Sequence, residues 1–252
     1  MKVYFIGAGP GDPELLTLKA KKIIGQVDVI VYAGSLVNRQ ILKFARKGAA
    51  LYDSSRMELE EILEVLQEAK RADQVVARIH SGDPSLYGAL QEQLDWCEKE
   101  AIDTEVIPGV SSFQAAAASL KQEFTLPGVC QTLILTRISG RTKVPAGEDL
   151  QRLAKIGATM VIFLSIKEID RVVDKLATGY RGDTPVAIVE KASWPGERRI
   201  FGTLGDIAGK VKKAGMKRQA LIIVGDVLRG AYEHSKLYDK NFEHGFRKKR
   251  RS

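Results

Sequence analysis

Short apolar runs recur along the first half of the chain, each closed by Gly, Asp or Pro and followed by a longer amphipathic stretch. Val3-Tyr4-Phe5-Ile6, Val29-Ile30-Val31 and Val75-Val76-Ala77-Arg78-Ile79-His80 are the clearest. Runs of this length bounded by turn residues read as buried strands. The pattern predicts strands near 3–6, 28–32, 75–80 and 103–107, and helices near 13–25, 36–46, 57–71, 84–99 and 111–120. In the third of these helices Leu59, Ile62, Leu63 and Leu66 share one face, and the intervening glutamates form a solvated face. Alternation of strand and helix implies a mainly parallel sheet covered by helices.

A second α/β region follows Gln122-Glu123-Phe124-Thr125-Leu126-Pro127-Gly128, which carries a Pro-Gly turn signal. Strands are expected near 131–136, 159–164, 185–190, 197–203 and 219–224, with helices near 147–156, 167–178 and 204–214. Trp194-Pro195-Gly196 joins two strands with no helix between them, a hairpin that makes this sheet mixed. The expected organisation is an N-terminal domain over 1–122, a linker at 123–128, a C-terminal domain over 129–232 and a basic tail at 233–252. A chain of 252 residues accommodates two domains of ordinary size.

Composition narrows the function classes. No apolar run approaches the roughly twenty residues of a membrane span, and the N-terminus enters a strand without the pattern of a secretory signal. Cys97 and Cys130 make neither a metal-ligand spacing nor a disulfide framework, so no metal site is expected and the expected compartment is the cytoplasm. The net charge is +8, of which Arg247, Lys248, Lys249, Arg250 and Arg251 supply five. The body is therefore only mildly basic, and the terminal run reads as a solvated end rather than a nucleic-acid patch. A mildly basic body helps draw in a polyanionic small molecule.

The first strand runs into Gly7-Ala8-Gly9-Pro10-Gly11-Asp12-Pro13. This resembles a nucleotide loop but breaks the dinucleotide rules, because the spacing is G-x-G-x-G and a carboxylate stands at the helix mouth. The acidic residue required at the end of the second strand is replaced by Tyr32-Ala33-Gly34, which argues against NAD. Strand, Gly-Asp-Pro, helix then occurs again at Ser81-Gly82-Asp83-Pro84. Asp before Pro is good capping chemistry by itself. Two copies after buried strands also point to a ligand site, since open α/β sheets bind ligands where strands end.

Gly7-Ala8-Gly9-Pro10-Gly11-Asp12-Pro13-Glu14-Leu15-Leu16-Thr17 resembles the opening signature of the tetrapyrrole (corrin/porphyrin) methylases. Ser81-Gly82-Asp83-Pro84 resembles their second motif, with Ser81 where Gly is usual, and Val106-Ile107-Pro108-Gly109-Val110-Ser111-Ser112 their third. Met160-Val161-Ile162-Phe163-Leu164 and Gln219-Ala220-Leu221-Ile222-Ile223-Val224-Gly225 extend the likeness over residues 1 to 230. The resemblance implies two α/β domains, the first with a mainly parallel sheet and the second mixed, with a cleft between them. It also implies S-adenosylmethionine as cofactor, S-adenosylhomocysteine as product and a homodimer. Within the family, Tyr32–Val37 and Thr136–Pro145 look most like the branch that methylates C11 of precorrin-4 or its cobalt form.

By the same resemblance, Pro10, Ser81, Gly82, Asp83, Leu86, Ser111, Ser112, Leu164, Ala192 and Ala220 surround the cofactor. Small residues suit positions where the backbone closes on a ligand. Asp83 also reads as an N-cap, Leu164 as core, and Ser111 and Ser112 as the cap of the following Ala-rich helix. Gly9 and Asp12 belong to the loop that the family uses to shape its tetrapyrrole trough. A corrin precursor is a polycarboxylate, which calls for Arg and Lys. Arg39, Arg56, Arg137, Arg141 and Lys143 lie in or beside loops after strands, although each also reads as an ordinary surface charge. His80 is either a hydrogen-bonded structural residue or a base.

No residue stands out as a catalyst, and the substrate's own enamine-like carbon is expected to attack the methyl. Other readings are uroporphyrinogen III or precorrin-2 methylation, ribosomal RNA methylation on the same fold, and a ligand-binding regulator without turnover. The body lacks the basic-plus-aromatic interleaving of an RNA platform, and no nucleic-acid or membrane partner is expected.

Overall fold

The computed structural model describes residues 1–239 and 242–247. These fall into two compact units, residues 1–119 with 191–198, and residues 120–190 with the chain from 199 onward. The terminal residues Lys248–Ser252, most of the expected basic run, lie outside the described residues.

The first unit is built on strands β1 (Lys2–Gly7), β2 (Val29–Tyr32), β3 (Ala50–Asp53), β4 (Val76–His80) and β5 (Asp103–Ile107). They lie in the order β3-β2-β4-β1-β5, every pair parallel. Period-two alternation sorts their side chains onto two buried faces. Ile6, Ile30, Tyr32, Ala77 and Ile79 pack with Ala20, Ile23 and Ile24 of α1 (Leu18–Ile24) on one side. Val3, Phe5, Val29, Val31 and Val76 pack on the other with Ile62, Val65 and Leu66 of α2 (Leu59–Arg71) and Cys97 of α3 (Gln91–Lys99). Helix α4 (Ser112–Leu120) follows β5.

The second unit holds β6 (Leu133–Arg137), β7 (Thr159–Phe163), β8 (Pro185–Glu190), β9 (Arg198–Thr203) and β10 (Ala220–Val224) in the order β6-β7-β10-β8-β9. β6 and β7 are parallel, while β10 runs antiparallel to both β7 and β8. The expected mixed sheet is present. Met160, Ile162, Val186, Ile188, Ile222 and Val224 meet α5 (Leu150–Ala154), α6 (Ile169–Leu176) and α7 (Ile207–Ala214) in one core.

Several expected helices are shorter than their patterns suggest. The stretch 13–25 divides into a 3-10 turn at Pro13–Leu15 and α1, because Leu16 is extended and Thr17 caps a new helix through Ala20 N–H at 3.2 Å. Residues 36–46 contain only a 3-10 segment, Arg39–Phe44. The 84–99 helix begins at Gln91, since Tyr87 and Ala89 take left-handed φ of 55° and 48°. β3 is an edge strand that the hydropathy pattern does not predict; its Ala50 and Leu51 are exposed.

Candidate functional site

At the carboxyl end of the first sheet, the loops after β1 and β4 are joined main chain to main chain, and the loop after β5 packs closely against both. Gly7 pairs with His80 and Ile6 with Ile107, so the three loops leave the sheet together. Gly9 N–H donates to Gly82 O at 3.2 Å, and Gly82 N–H returns to Gly9 O at 2.8 Å. Side chains are excluded at the centre: a Cβ on Gly109 would stand 2.2 Å from Gly82 O, and one on Gly7 2.6 Å from Gly109 N. Gly7 and Gly109 are thus explained by one close approach of backbone, and Gly9 and Gly82 by left-handed φ of 76° and 63°.

Asp83 fastens the second loop to the third. One carboxylate oxygen accepts from Gly109 N–H at 2.9 Å; the other accepts from Ser85 N–H at 2.9 Å and from the Ser85 hydroxyl. Burial would raise its pKa, but the bonds from the Ser85 hydroxyl, Gly109 N–H and Ser85 N–H outweigh that and hold it below the usual 3.8. The expected cap is real but closes a turn, not a helix. Ser111 is buried at the head of α4, where the Gln114 side chain reaches back to its N–H at 2.9 Å, half of a capping box. Asp12 caps the 3-10 turn through Glu14 N–H at 2.9 Å.

Pro10, Ser81, Gly82, Asp83, Leu86, Ser112, Gly9 and Asp12 all belong to this end of the first unit, with Ala192 buried in its 191–198 segment. Beside Gly82 there is room: a Cβ there would meet nothing nearer than Ser111 Cα at 3.7 Å. The open side of Gly82 faces the main chain of Ser111, Ser112 and Val110.

His80 is buried and tied by Nδ1 to Gly88 O at 3.0 Å, and its Nε2 has no hydrogen-bond partner among the described residues. Burial first, then the Arg78 charge, push its pKa down from 6.5 to about 4, against the bond to Gly88. Arg78, itself pushed to about 10 by burial, donates to Gln93 Oε1 at 3.0 Å, and Gln93 Nε2 holds Ala89 O at 2.7 Å. These side chains fix the irregular 84–90 loop; hydropathy carries no trace of that.

In the second unit the register gathers another set at one end of the sheet. Arg137 pairs with Phe163, next to Leu164, and β10 begins at Ala220, paired with Glu190. Leu164 is 72% exposed with φ of +54°. A leucine held left-handed and presented to solvent is not core packing, and strain of this kind clusters at functional positions. Gln219, just before Ala220, is left-handed too, at +54°.

The expected substrate cations divide. Arg39 is paired with Asp53 at 2.7 Å. Arg137 donates to the carbonyls of Thr142 and Lys143 at 3.0 and 3.1 Å, shaping the loop that carries Arg141. Arg56, Arg141 and Lys143 are exposed.

The family model of the Tetrapyrrole (Corrin/Porphyrin) Methylases matches residues 2–208. This chain belongs to that family. It is 57% identical over 249 residues to a cobalt-precorrin-4 C(11)-methyltransferase of Methanocaldococcus jannaschii, covering 98% of this chain and 96% of that protein. The X-ray structure of a cobalamin biosynthetic cobalt precorrin-4 methyltransferase superposes with a TM-score of 0.88 at 41% identity, covering 90% of this chain and 95% of that one. A uroporphyrin-III C-methyl transferase from Thermus thermophilus, complexed with S-adenyl homocysteine, superposes with a TM-score of 0.77 at 30% identity, covering 93% and 96%. No helix among the described residues is long and apolar enough to cross a membrane.

Proposed function

We propose that this protein transfers a methyl group from S-adenosylmethionine to C11 of precorrin-4, with the cobalt complex as its first substrate. The observation that carries the reading is near-full-length identity of 57% to a cobalt-precorrin-4 C(11)-methyltransferase, on a chain whose motif loops are locked together. S-adenosylmethionine supplies an electrophilic methyl. Pro10, Ser81, Gly82, Asp83, Leu86, Ser111, Ser112 and Ala192 in the first unit, and Leu164 and Ala220 in the second, are the proposed cofactor contacts. Gly9, Asp12, Arg56 and Arg141 are proposed for the substrate; Arg39 and Arg137 act by shaping the loops around them.

The side chains bind and orient, and proximity can supply roughly 7–11 kcal/mol of the barrier. Neither Asp83 nor His80 is free to act as a base. The Asp83 carboxylate is occupied by three donors, and His80 is buried and neutral at pH 7. The attacking electrons come from an enamine-like carbon of the substrate, and the charge left after methyl transfer is relieved by loss of a proton from elsewhere in the macrocycle to solvent. The same reading carries a homodimer and a cytoplasmic location.

Calorimetric titration of S-adenosylhomocysteine tests the binding half, with Asp83→Ala alongside. The variant leaves Gly109 N–H without its acceptor and is expected to bind about tenfold more weakly. Labelled methyl incorporation into cobalt-precorrin-4, but not into uroporphyrinogen III or RNA, tests the other half. Saturable binding without incorporation would sink the enzymatic reading in favour of a regulator.

A further inference from the structure

The Gly9–Asp12 loop is held from outside at three consecutive residues. The Trp194 indole N–H donates to Pro10 O at 2.9 Å, the Asn38 amide to Gly11 O at 2.8 Å, and Asp12 N–H donates to Ser193 Oγ at 3.0 Å. The indole fills the space a side chain at position 11 would take: a Cβ on Gly11 would lie 2.1 Å from Nε1. Glycine at 11 is therefore required by Trp194, not by φ.

Trp194 and Ser193 stand in the turn between β8 and β9, which belongs to the first unit although both strands lie in the second sheet. The turn is itself braced. Lys191 and Ser193 are left-handed at 52° and 68°, and Trp194 N–H bonds Lys191 O at 2.9 Å. The Glu197 carboxylate accepts from Ser193 N–H at 2.9 Å and from the Ser119 hydroxyl. Such backbone persists only where its surroundings over-determine it. Here the bracing holds an indole and a hydroxyl against a loop at the carboxyl end of a parallel sheet, where such folds bind ligands.

We propose that Trp194 is a positioning residue for methyl transfer, acting through the Gly9–Asp12 loop to fix the path along which Gly9 and Asp12 meet the tetrapyrrole. The proposal rests on the function proposed above. It distinguishes Trp194 from a packing residue, because the Nε1 side of the ring both donates to Pro10 O and fills the space beside Gly11 in one loop.

The test compares full-length wild type with Trp194→Phe, Trp194→Ala, Gly11→Ala and the Gly11→Ala/Trp194→Ala double variant. In Trp194→Phe the ring remains and the N–H is lost. Amide exchange over residues 8–16 is expected to quicken about tenfold while strand 76–80 is unchanged. With cobalt-precorrin-4 its KM rises about tenfold, while kcat and S-adenosylhomocysteine affinity stay within about threefold and melting is preserved. Gly11→Ala expels the ring and gives the same KM defect, yet adds little once Trp194→Ala has emptied the space. Unchanged loop exchange overturns the proposal. So do additive effects in the double variant, or a KM defect that tracks lost stability. If wild type binds S-adenosylhomocysteine but methylates no corrin precursor, the substrate reading falls. The exchange experiment still decides whether Trp194 holds the loop.

Discussion

His80 shows how one buried atom governs behaviour that its neighbours in sequence do not announce. Its ring is 4% exposed, with Nδ1–H directed to Gly88 O and Nε2 unpartnered among the described residues. Burial first, and then the charge of Arg78, disfavour protonation, so the fold favours the neutral ring and the pKa falls from 6.5 to about 4. A depressed histidine contributes stability that is complete above pH 6.5 and is lost as the pH falls towards 4. The full shift corresponds to about 3 kcal/mol at most. His80→Asn keeps a donor for Gly88 O and removes the titration. Urea midpoints of wild type and variant at pH 7 and about pH 4.5 should show the wild type losing about 2–3 kcal/mol more than the variant between the two. Parallel pH dependence of the two proteins would show that His80 is not the group responsible.

At the scale of elements, what was legible in the sequence is what depends on local periodicity. Edge strand β3 apart, the strands and α2 follow from short apolar runs and from i, i+3, i+4 apolar positions, and the mixed second sheet from a hairpin without a helix. The loop over 84–90 could not be read, because its path is set by His80 and Gln93 holding the carbonyls of Gly88 and Ala89 from other elements. Nor could the placement of 191–198 in the first unit, which depends on Trp194 and Ser193 meeting residues 10–12. The three glycine motifs were visible as motifs, but the reason for Gly7 and Gly109 is a contact between loops about a hundred residues apart in sequence. That reason makes a prediction. Gly109→Ala places a methyl 2.2 Å from Gly82 O, where only backbone can yield. It should cost about 1–3 kcal/mol and weaken S-adenosylhomocysteine binding more than tenfold. Gly140→Ala, with nothing near its Cβ, is the control expected to change neither. Tight binding by Gly109→Ala would remove the interlocked loops from the account of the site.

The whole molecule separates a working body from an appendage, and charge and packing draw the line in the same place. Among the described residues the last buried hydrophobic side chain is Val227, whereas Tyr238 and Phe246 stand fully or nearly fully in solvent. The appendage closes largely on itself: the Arg247 guanidinium donates to Leu237, Asp239 and Phe242 carbonyls at 2.6, 2.8 and 3.2 Å. Its bond back to the body is made earlier, from Glu233 N–H to Pro127 O at 3.1 Å. A chain ending at Ser235 keeps that bond and discards five of the eight net charges. Surface removal of this kind should change stability by less than about 1 kcal/mol. Methylation of cobalt-precorrin-4 should stay within about twofold, because a compact polycarboxylate is steered by the body, whereas an RNA substrate would lose phosphate contacts and with them a steep salt dependence. Turnover measured from low to high salt on both chain lengths separates the two. Equal, shallow slopes place recognition in the body, while a slope that collapses on truncation would return the tail, and with it an RNA substrate, to the centre of the enzyme's function.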